Sequence, residues 1–275
     1  MKQKVAIQGI VGSYHHNVAQ AYFGDSVDIE ECMSFGAVVN CLISGECTDA
    51  VMAIENSIAG SILPNYAYID ENDLTIQGEH YESIHHCLMA LPGQQINDIQ
   101  EVYSHPMALL QCKEFFRIYP HIKLVEDVDT AEVAKRIRDH KLKNTAAIAG
   151  KKAAALYDLD VLAEDIQTIT SNSTRFFILA PPQYKIKHKD IDKASFKFSL
   201  EHKRGSLASI LNAMSDCRLS LTKIQSMPIV QTPWRYAFFV DVTFTQPEYF
   251  QKAVSLMQIM ATEFKILGAY KNKNI

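Results

Sequence analysis

The chain has 275 residues, 48% of them hydrophobic and 21% charged, with a formal net charge of −4 at pH 7. These are the proportions of an ordinary globular protein of roughly two domains. They give no electrostatic case for nucleic acid, whose binders cluster Lys and Arg on one face, and no apolar run approaches the ~20 residues that cross a bilayer.

The apolar stretch after Met1-Lys2-Gln3-Lys4 is too short for a signal peptide. Cys32, Cys41, Cys47, Cys87, Cys112 and Cys217 show no C-x-x-C spacing, which fits reduced cytoplasmic thiols rather than a disulfide frame or a zinc site.

Lys4–Gln8 reads as a short buried strand, Gly9-Ile10-Val11-Gly12-Ser13 as a turn, and His15 to Phe23 as a helix. Free N–H groups at such a junction favour an anion. With neither G-x-G-x-x-G nor G-K-[ST] present, a carboxylate suits it better than a phosphate. Phe35–Ile43 has helical spacing, and Asp49–Ile54 is the next strand. It ends in the polar loop Glu55-Asn56-Ser57-Ile58-Ala59-Gly60-Ser61, at the strand edge where open α/β sheets place ligands. Glu55 reads as a structural acceptor for loop N–H groups, and Asn56, Ser57 and Ser61 as ligand donors. Leu74–His80 and Ile84–Ala90 read as strands. In a strand, His85 and His86 would point to opposite faces, so no metal site is expected there.

Ile99–Pro106 reads as a strand ending in a Ser-His-Pro turn, followed by a helix from Met107 to Tyr119. Pro106 suits a helix start. Ser104 could cap that helix or hold a ligand anion, but Ser104-His105 is not a persuasive nucleophile–base pair. A strand at Ile122–Val125, a helix capped by Asp129 or Thr130 and running to about His140, a strand at Thr145–Gly150, a helix at Lys151–Tyr157 and a strand at Val161–Ala163 follow. This alternation through residues 1–180 implies largely parallel sheets. In Thr170–Leu179 a polar, acid-free stretch runs straight into an apolar strand. Arg175 could pair a carboxylate in two-point fashion, and Thr174 beside it could donate to a leaving oxygen. The alternative is a surface turn with Arg175 solvated.

Pro181-Pro182 and the charged run after it mark a linker over 183–193. Residues 194–275 then read βαββαβ. Ser195–Leu200 and Leu219–Ile224 alternate as half-buried strands, and Trp234–Val242 is a third. Arg204-Gly205-Ser206 opens a helix with Leu207, Ile210, Leu211 and Met214 on one face. Pro247 to about Glu263 is the second helix, and Phe264–Gly268 closes the unit.

Glu55–Ser61, Tyr103-Ser104-His105-Pro106 and Asn172-Ser173-Thr174-Arg175-Phe176 occur in order, followed by Gly205-Ser206-Leu207-Ala208 and Thr222–Pro228. On these motifs the chain resembles, over nearly its whole length, a prephenate dehydratase with a C-terminal ACT regulatory domain. The resemblance implies an α/β fold: a two-lobed catalytic domain over 1–182, like a type II periplasmic binding protein, and a ferredoxin-like ACT domain over 194–275. Lobe one would comprise about 1–78 and 174–182, and lobe two about 79–173. The implied activity is decarboxylating dehydration of prephenate to phenylpyruvate, without cofactor or metal, in a cytoplasmic homodimer or homotetramer.

By the same resemblance Thr174 would donate to the leaving hydroxyl, Arg175 bind carboxylate and Phe176 wall the ring. Ser13, Glu55, Asn56, Ser57, Gly60, Ser61, Ser104 and His105 would line the substrate site. L-phenylalanine would bind at Gly205, Ser206, Leu207, Ala208, Gln225, Ser226, Met227 and Pro228. Gln225-Ser226-Met227-Pro228 departs from the family's common Glu-Ser-Arg-Pro and loses both charges. Gly9–Tyr14 stands in place of Gly-Pro-x-Gly-Thr-Phe but keeps its glycines and a hydroxyl. The rival readings are arogenate dehydratase, on the same fold, and a non-catalytic amino-acid sensor.

Overall fold

The computed structural model describes residues 3–182, 184, 190–229 and 232–273. Most of the expected linker, residues 183 and 185–189, lies outside them. The first elements are β1 (Lys4–Gln8), α1 (Tyr14–Phe23), β2 (Asp28–Cys32), α2 (Phe35–Ile43), β3 (Asp49–Asn56), β4 (Gly60–Ser61), α3 (Leu63–Glu71) and β5 (Thr75–Ser83). Next come β6 (Cys87–Ala90), β7 (Glu101–Ser104), α4 (Pro106–Gln111), β8 (Lys123–Glu126), α5 (Thr130–His140), β9 (Thr145–Ala149), α6 (Lys151–Leu156) and β10 (Asp160–Ala163). The chain ends with β11 (Ser173–Ala180), β12 (Lys193–Ser199), α7 (Ser206–Asp216), β13 (Ser220–Pro228), β14 (Tyr236–Thr243), α8 (Pro247–Met260) and β15 (Glu263–Tyr270). It forms two compact units, Met1–Ile62 with Tyr81–Phe176, and Leu63–His80 with Phe177–Ile275. The chain passes between them within β5 and β11.

In the first unit β1 runs parallel to β2 and β3, and β4 folds back on β3 with Gly60 opposite Asn56. Val5, Ala6 and Ile7 and the run Ala50–Ile54 are buried without alternation, as parallel strands covered on both faces require. A second sheet has the order β10-β6-β9-β7-β8. Here β7 is parallel to β8 and β9, but β6 is antiparallel to β9 and β10. The largely parallel arrangement expected from the alternation therefore holds for only part of this sheet. One face carries Met89, Ala147 and Ala149 against Ala134 and Ile137 of α5. The other carries Leu88, Ala146 and Ile148 against Leu109 and Phe116. The helix expected from Met107 to Tyr119 stops at Gln111 and resumes as a 3₁₀ turn, Phe115–Ile118.

In the second unit the order β12-α7-β13-β14-α8-β15 and the antiparallel sheet β13-β14-β12-β15 give the split-βαβ, ferredoxin-like arrangement. Its core joins Phe196, Phe198, Val240 and Val242 to Ile210, Met214, Phe250 and Met257 of the helices. Trp234 lies in the turn before β14 rather than opening it.

The segment 63–80 belongs to this unit. Ile76 of β5 pairs in parallel with Gly268 of β15, so closely that a Cβ on Gly268 would lie 2.0 Å from the Ile76 carbonyl oxygen. Lys193 donates to both oxygens of Glu79 at 2.9 Å, both side chains being buried. Asp70 accepts from Lys197 at 2.5 Å and from Lys265 at 3.1 Å. Gly268→Ala puts its methyl into backbone that cannot yield, and urea titration should show a loss of about 1–3 kcal/mol.

Candidate active site

The site grows from the end of β3. The Asn56 carboxamide oxygen accepts from the N–H groups of Ile58 (3.0 Å) and Ala59 (2.9 Å), closing the turn into β4. Its nitrogen donates to Asn172 Oδ1 (2.7 Å), the Ser173 carbonyl (3.2 Å) and Thr174 Oγ1 (3.0 Å). Two hydrogens thus serve three acceptors, so Asn56 is a hub that positions other groups rather than the ligand donor suggested by the sequence. It also takes the loop-acceptor role expected of Glu55. Thr174 accepts from Asn56, and its own hydroxyl hydrogen has no acceptor among the described residues. A hydroxyl whose oxygen accepts from the protein retains its hydrogen as a donor.

Ser57 is stitched to the head of β11. Its hydroxyl accepts from Ser173 N (3.0 Å), and its N–H donates to the Ser173 carbonyl (2.8 Å). Gly60, at a positive φ of 82°, and Ser61 form the return strand β4.

Beside this loop lies a cavity of about 450 Å³. Ile58 and Ala59 form one side, Met107, Leu110 and Gln111 of α4 another, and Thr168 and Ile169 a third. Apart from Gln111 and Thr168 the walls are apolar. Gln111 Oε1 accepts from Asn172 Nδ2 at 2.9 Å and lies 3.0 Å from His86 Nε2. Gln111 thus joins cavity and hub, and no sequence signal singled it out. His85 is turned away onto Asp165, 2.6 Å distant.

Several expected site residues lie elsewhere. Ser104 is fully buried and donates to the Ile148 carbonyl at 2.7 Å, so it neither caps α4 nor meets a ligand. His105 caps that helix instead, its Nδ1 accepting from Met107 N at 3.2 Å. Alternation along β11 puts Thr174 and Phe176 on one face and Arg175 on the other. Phe176 is 1% exposed, packed edge-on against His15 at 4.9 Å between centroids, and is core rather than a ligand wall. The Arg175 guanidinium is 4.0 Å from Glu55 and 5.9 Å from the Tyr81 ring, with the residue 4% exposed. Arg175 is thus a buried cation beside a half-exposed carboxylate, on the face of β11 opposite Thr174.

The expected anion site at Gly9–Ser13 is spent internally. Gly9 N donates to the Cys32 carbonyl, Val11 N to Glu31, Gly12 N to His16 Nδ1 and Ser13 N to the Ile10 carbonyl. The Ser13 hydroxyl caps α1 by accepting from His16 N at 3.3 Å. A Cβ on Gly9 would lie 2.8 Å from Asp129 Oδ2, so an acid, not an anion receptor, backs this loop. Burial raises the pKa of Asp129, opposed by the Glu132 and Ala131 N–H groups that it caps and by His105.

The allosteric candidates stand in the second unit. Gly205, at φ 84°, precedes α7, where Ser206 and Leu207 are half-buried and Ala208 exposed. Gln225, Ser226, Met227 and Pro228 end β13, whose Gln225 side chain donates to the Ser226 carbonyl at 2.9 Å.

Residues 5–184 match the family model of prephenate dehydratase. Arogenate dehydratase/prephenate dehydratase 2 of Arabidopsis thaliana is 35% identical over 97% of this chain and 72% of its own length. The bifunctional chorismate mutase/prephenate dehydratase of Enterobacter agglomerans is 30% identical over 99% of this chain and 71% of its own. Among solved structures, GqqA, described as a quorum quenching acylase, superposes with a TM-score of 0.89 at 24% identity over 99% of both chains. A prephenate dehydratase from Arthrobacter aurescens in complex with L-Phe gives 0.86 at 24% identity over 98% of this chain and 90% of its own. At such identities the two structures speak for the fold alone.

Asn56→Asp keeps the shape but removes both donors and sets a carboxylate against Asn172 Oδ1. Denaturant titration should show a loss of about 1–3 kcal/mol. Burial pushes His15 down to about 3, so between its ordinary 6.5 and that value the unfolded chain binds a proton that the folded one refuses. Stability should therefore fall with pH over that window, by about 1.4 kcal/mol per unit for this residue. His15→Met should flatten the measured slope by that amount.

Proposed function

The chain belongs to the prephenate dehydratase family, and on that premise we propose that the cavity beside Asn56 and Gln111 receives prephenate and that Thr174 assists its conversion to phenylpyruvate. The observation that carries this reading is the Thr174 hydroxyl, which accepts from Asn56 and keeps its own proton for a ligand. As the C4 hydroxyl of prephenate takes up a proton it leaves as water. The bond from the ring to its carboxylate breaks, CO2 departs, and the electron pair completes the aromatic ring. One proton is consumed, and no electron carrier or metal is required.

An alcohol is too weak an acid to protonate the leaving group unaided. Thr174 therefore serves as an aimed donor, polarised by the Asn56 N–H, while the proton comes from solvent. The apolar walls of Ile58, Met107, Leu110 and Ile169 poorly solvate a ring carboxylate, which favours its loss as neutral CO2. Arg175 contributes a buried positive charge held by Glu55.

The second unit is read as the regulatory ACT domain, binding L-phenylalanine at Gly205–Ala208 and Gln225–Pro228. Its support is the ferredoxin-like order and the L-Phe complex of the Arthrobacter aurescens protein. The exposed Leu221 and Ile224 on edge strand β13 favour a homodimer or homotetramer, and the cysteine pattern a cytoplasmic setting. Arogenate is the second substrate reading, favoured by the Arabidopsis relative's double name.

Purified protein offered prephenate and arogenate separately should form phenylpyruvate from prephenate, with less product when L-phenylalanine is added. Preferential formation of phenylalanine from arogenate would move the assignment to the sister activity. Thr174→Ala should lower kcat by about 10²–10⁴ with the fold intact, and Thr174→Ser should retain far more.

A further inference from the structure

Behind the catalytic hydroxyl runs a line of neutral hydrogen-bonding groups, Thr174–Asn56–Asn172–Gln111–His86, whose contacts measure 3.0, 2.7, 2.9 and 3.0 Å. A carboxamide can be turned by half a rotation without moving its heavy-atom outline, so the polarity of such a line is set at its ends. At one end Asn56 cannot turn. Its oxygen holds two backbone N–H groups, and its nitrogen faces the Ser173 carbonyl. Asn172 must then present its oxygen to Asn56 and its nitrogen to Gln111. Gln111 must present its oxygen to both Asn172 and His86. Only one tautomer of a neutral His86 satisfies that oxygen, the one with the hydrogen on Nε2.

His86 is built for this duty. It is buried, and burial lowers its pKa despite the opposing bond to Gln111, so it stays neutral near pH 7 and carries a single ring hydrogen. Its backbone N–H donates to Gln167 Oε1 at 2.8 Å. Its Nδ1 lies 3.2 Å from the Tyr14 hydroxyl, which is 2.7 Å from the His85 carbonyl, so with the imidazole hydrogen on Nε2 the single Tyr14 hydrogen is divided between that carbonyl and Nδ1. The Tyr14 ring packs edge-on against the imidazole at 5.9 Å. With the hydrogen on Nδ1 instead, a bare Nε2 would oppose the Gln111 oxygen. Turning Gln111 to relieve that would set its nitrogen against that of Asn172, and the mismatch would travel to Asn56, which cannot follow.

We propose that His86 is a positioning residue of this enzyme: as the Nε2–H tautomer it complements the orientation that the Ile58 and Ala59 N–H groups impose on Asn56, and so holds Gln111, Asn172 and the Asn56 nitrogen in place behind the Thr174 hydroxyl. The amides between them carry orientation and no proton. This inference rests on the dehydratase reading above.

The test compares two substitutions of similar polarity. The terminal NH2 of Gln reaches the place of Nε2, and that of Asn the place of Nδ1. His86→Gln should keep kcat within about threefold of the wild type. His86→Asn should lower it at least about tenfold, with KM changed less than about threefold. Equal losses in both variants, or full kcat in His86→Asn, would overturn the proposal. Nitrogen-15 NMR of the wild-type imidazole reads the tautomer without any substitution and answers even where a variant does not fold. Protonation at Nε2 is expected, and protonation at Nδ1 overturns the assignment. A wild-type protein that turns over neither prephenate nor arogenate refutes the dehydratase reading, while the NMR result still decides the tautomer.

Discussion

Two backbone N–H groups, those of Ile58 and Ala59, decide what chemistry Thr174 can do. By claiming the oxygen of Asn56 they force its nitrogen toward β11, and that makes the Thr174 oxygen an acceptor. A threonine hydroxyl has one hydrogen, so a protein donor on its oxygen leaves that hydrogen for a guest. The hairpin β3–β4 is therefore more than a loop at the edge of a sheet. Its tight turn, which ends at Gly60 in a positive φ, carries the two N–H groups that meet on one carboxamide oxygen.

Strand alternation then separates the tasks of neighbouring residues on β11. Thr174 carries the hydroxyl, Arg175 on the opposite face carries a charge neutralised by Glu55, and Phe176 returns to the Thr174 face one step deeper in the core. A buried guanidinium is costly unless paired, and Glu55 at 4.0 Å is one carboxylate that meets it whether or not a ligand is present. The Gly9–Ser13 turn follows the same economy. Every N–H traced there is used to fasten the turn, and its glycines make room for Asp129 and for Leu156 and Tyr157.

Long apolar runs made most of this architecture legible. β1, β3, β9 and β11 are buried on both faces and announce themselves, and α7 and α8 show one apolar stripe each. β2 was invisible because Asp28-Ile29-Glu30-Glu31-Cys32 carries three acids and owes its strand state to pairing with β1. The early stop of α4 was hidden for a related reason, since Phe115 and Phe116 continue a helical pattern that packing resolves as a 3₁₀ turn. At the site, the polar motifs lead to Asn56 and Ser57 as ligand donors and to Thr174 as a donor to a leaving oxygen. That the Asn56 and Ser57 side chains are committed within the protein, while the Thr174 hydroxyl keeps its hydrogen, lies in hydrogen-bond direction, which no sequence spacing encodes. Gln111 sat inside an ordinary helix, and Ser104 looked available until the Ile148 carbonyl claimed it.

The membership of residues 63–80 in the C-terminal unit has a consequence for synthesis. Asp70, Ile76 and Glu79 leave the ribosome long before Lys193, Lys197, Lys265 and Gly268, their partners in the finished protein. Ile76 waits for Gly268, about 190 residues later, or roughly 10–40 s at ordinary elongation rates. Through that interval the nascent chain carries α3 and the β5 edge without the sheet that will cover them. The β3–β4 hairpin lies immediately upstream, so the segment that follows it can settle only after β15 has been made.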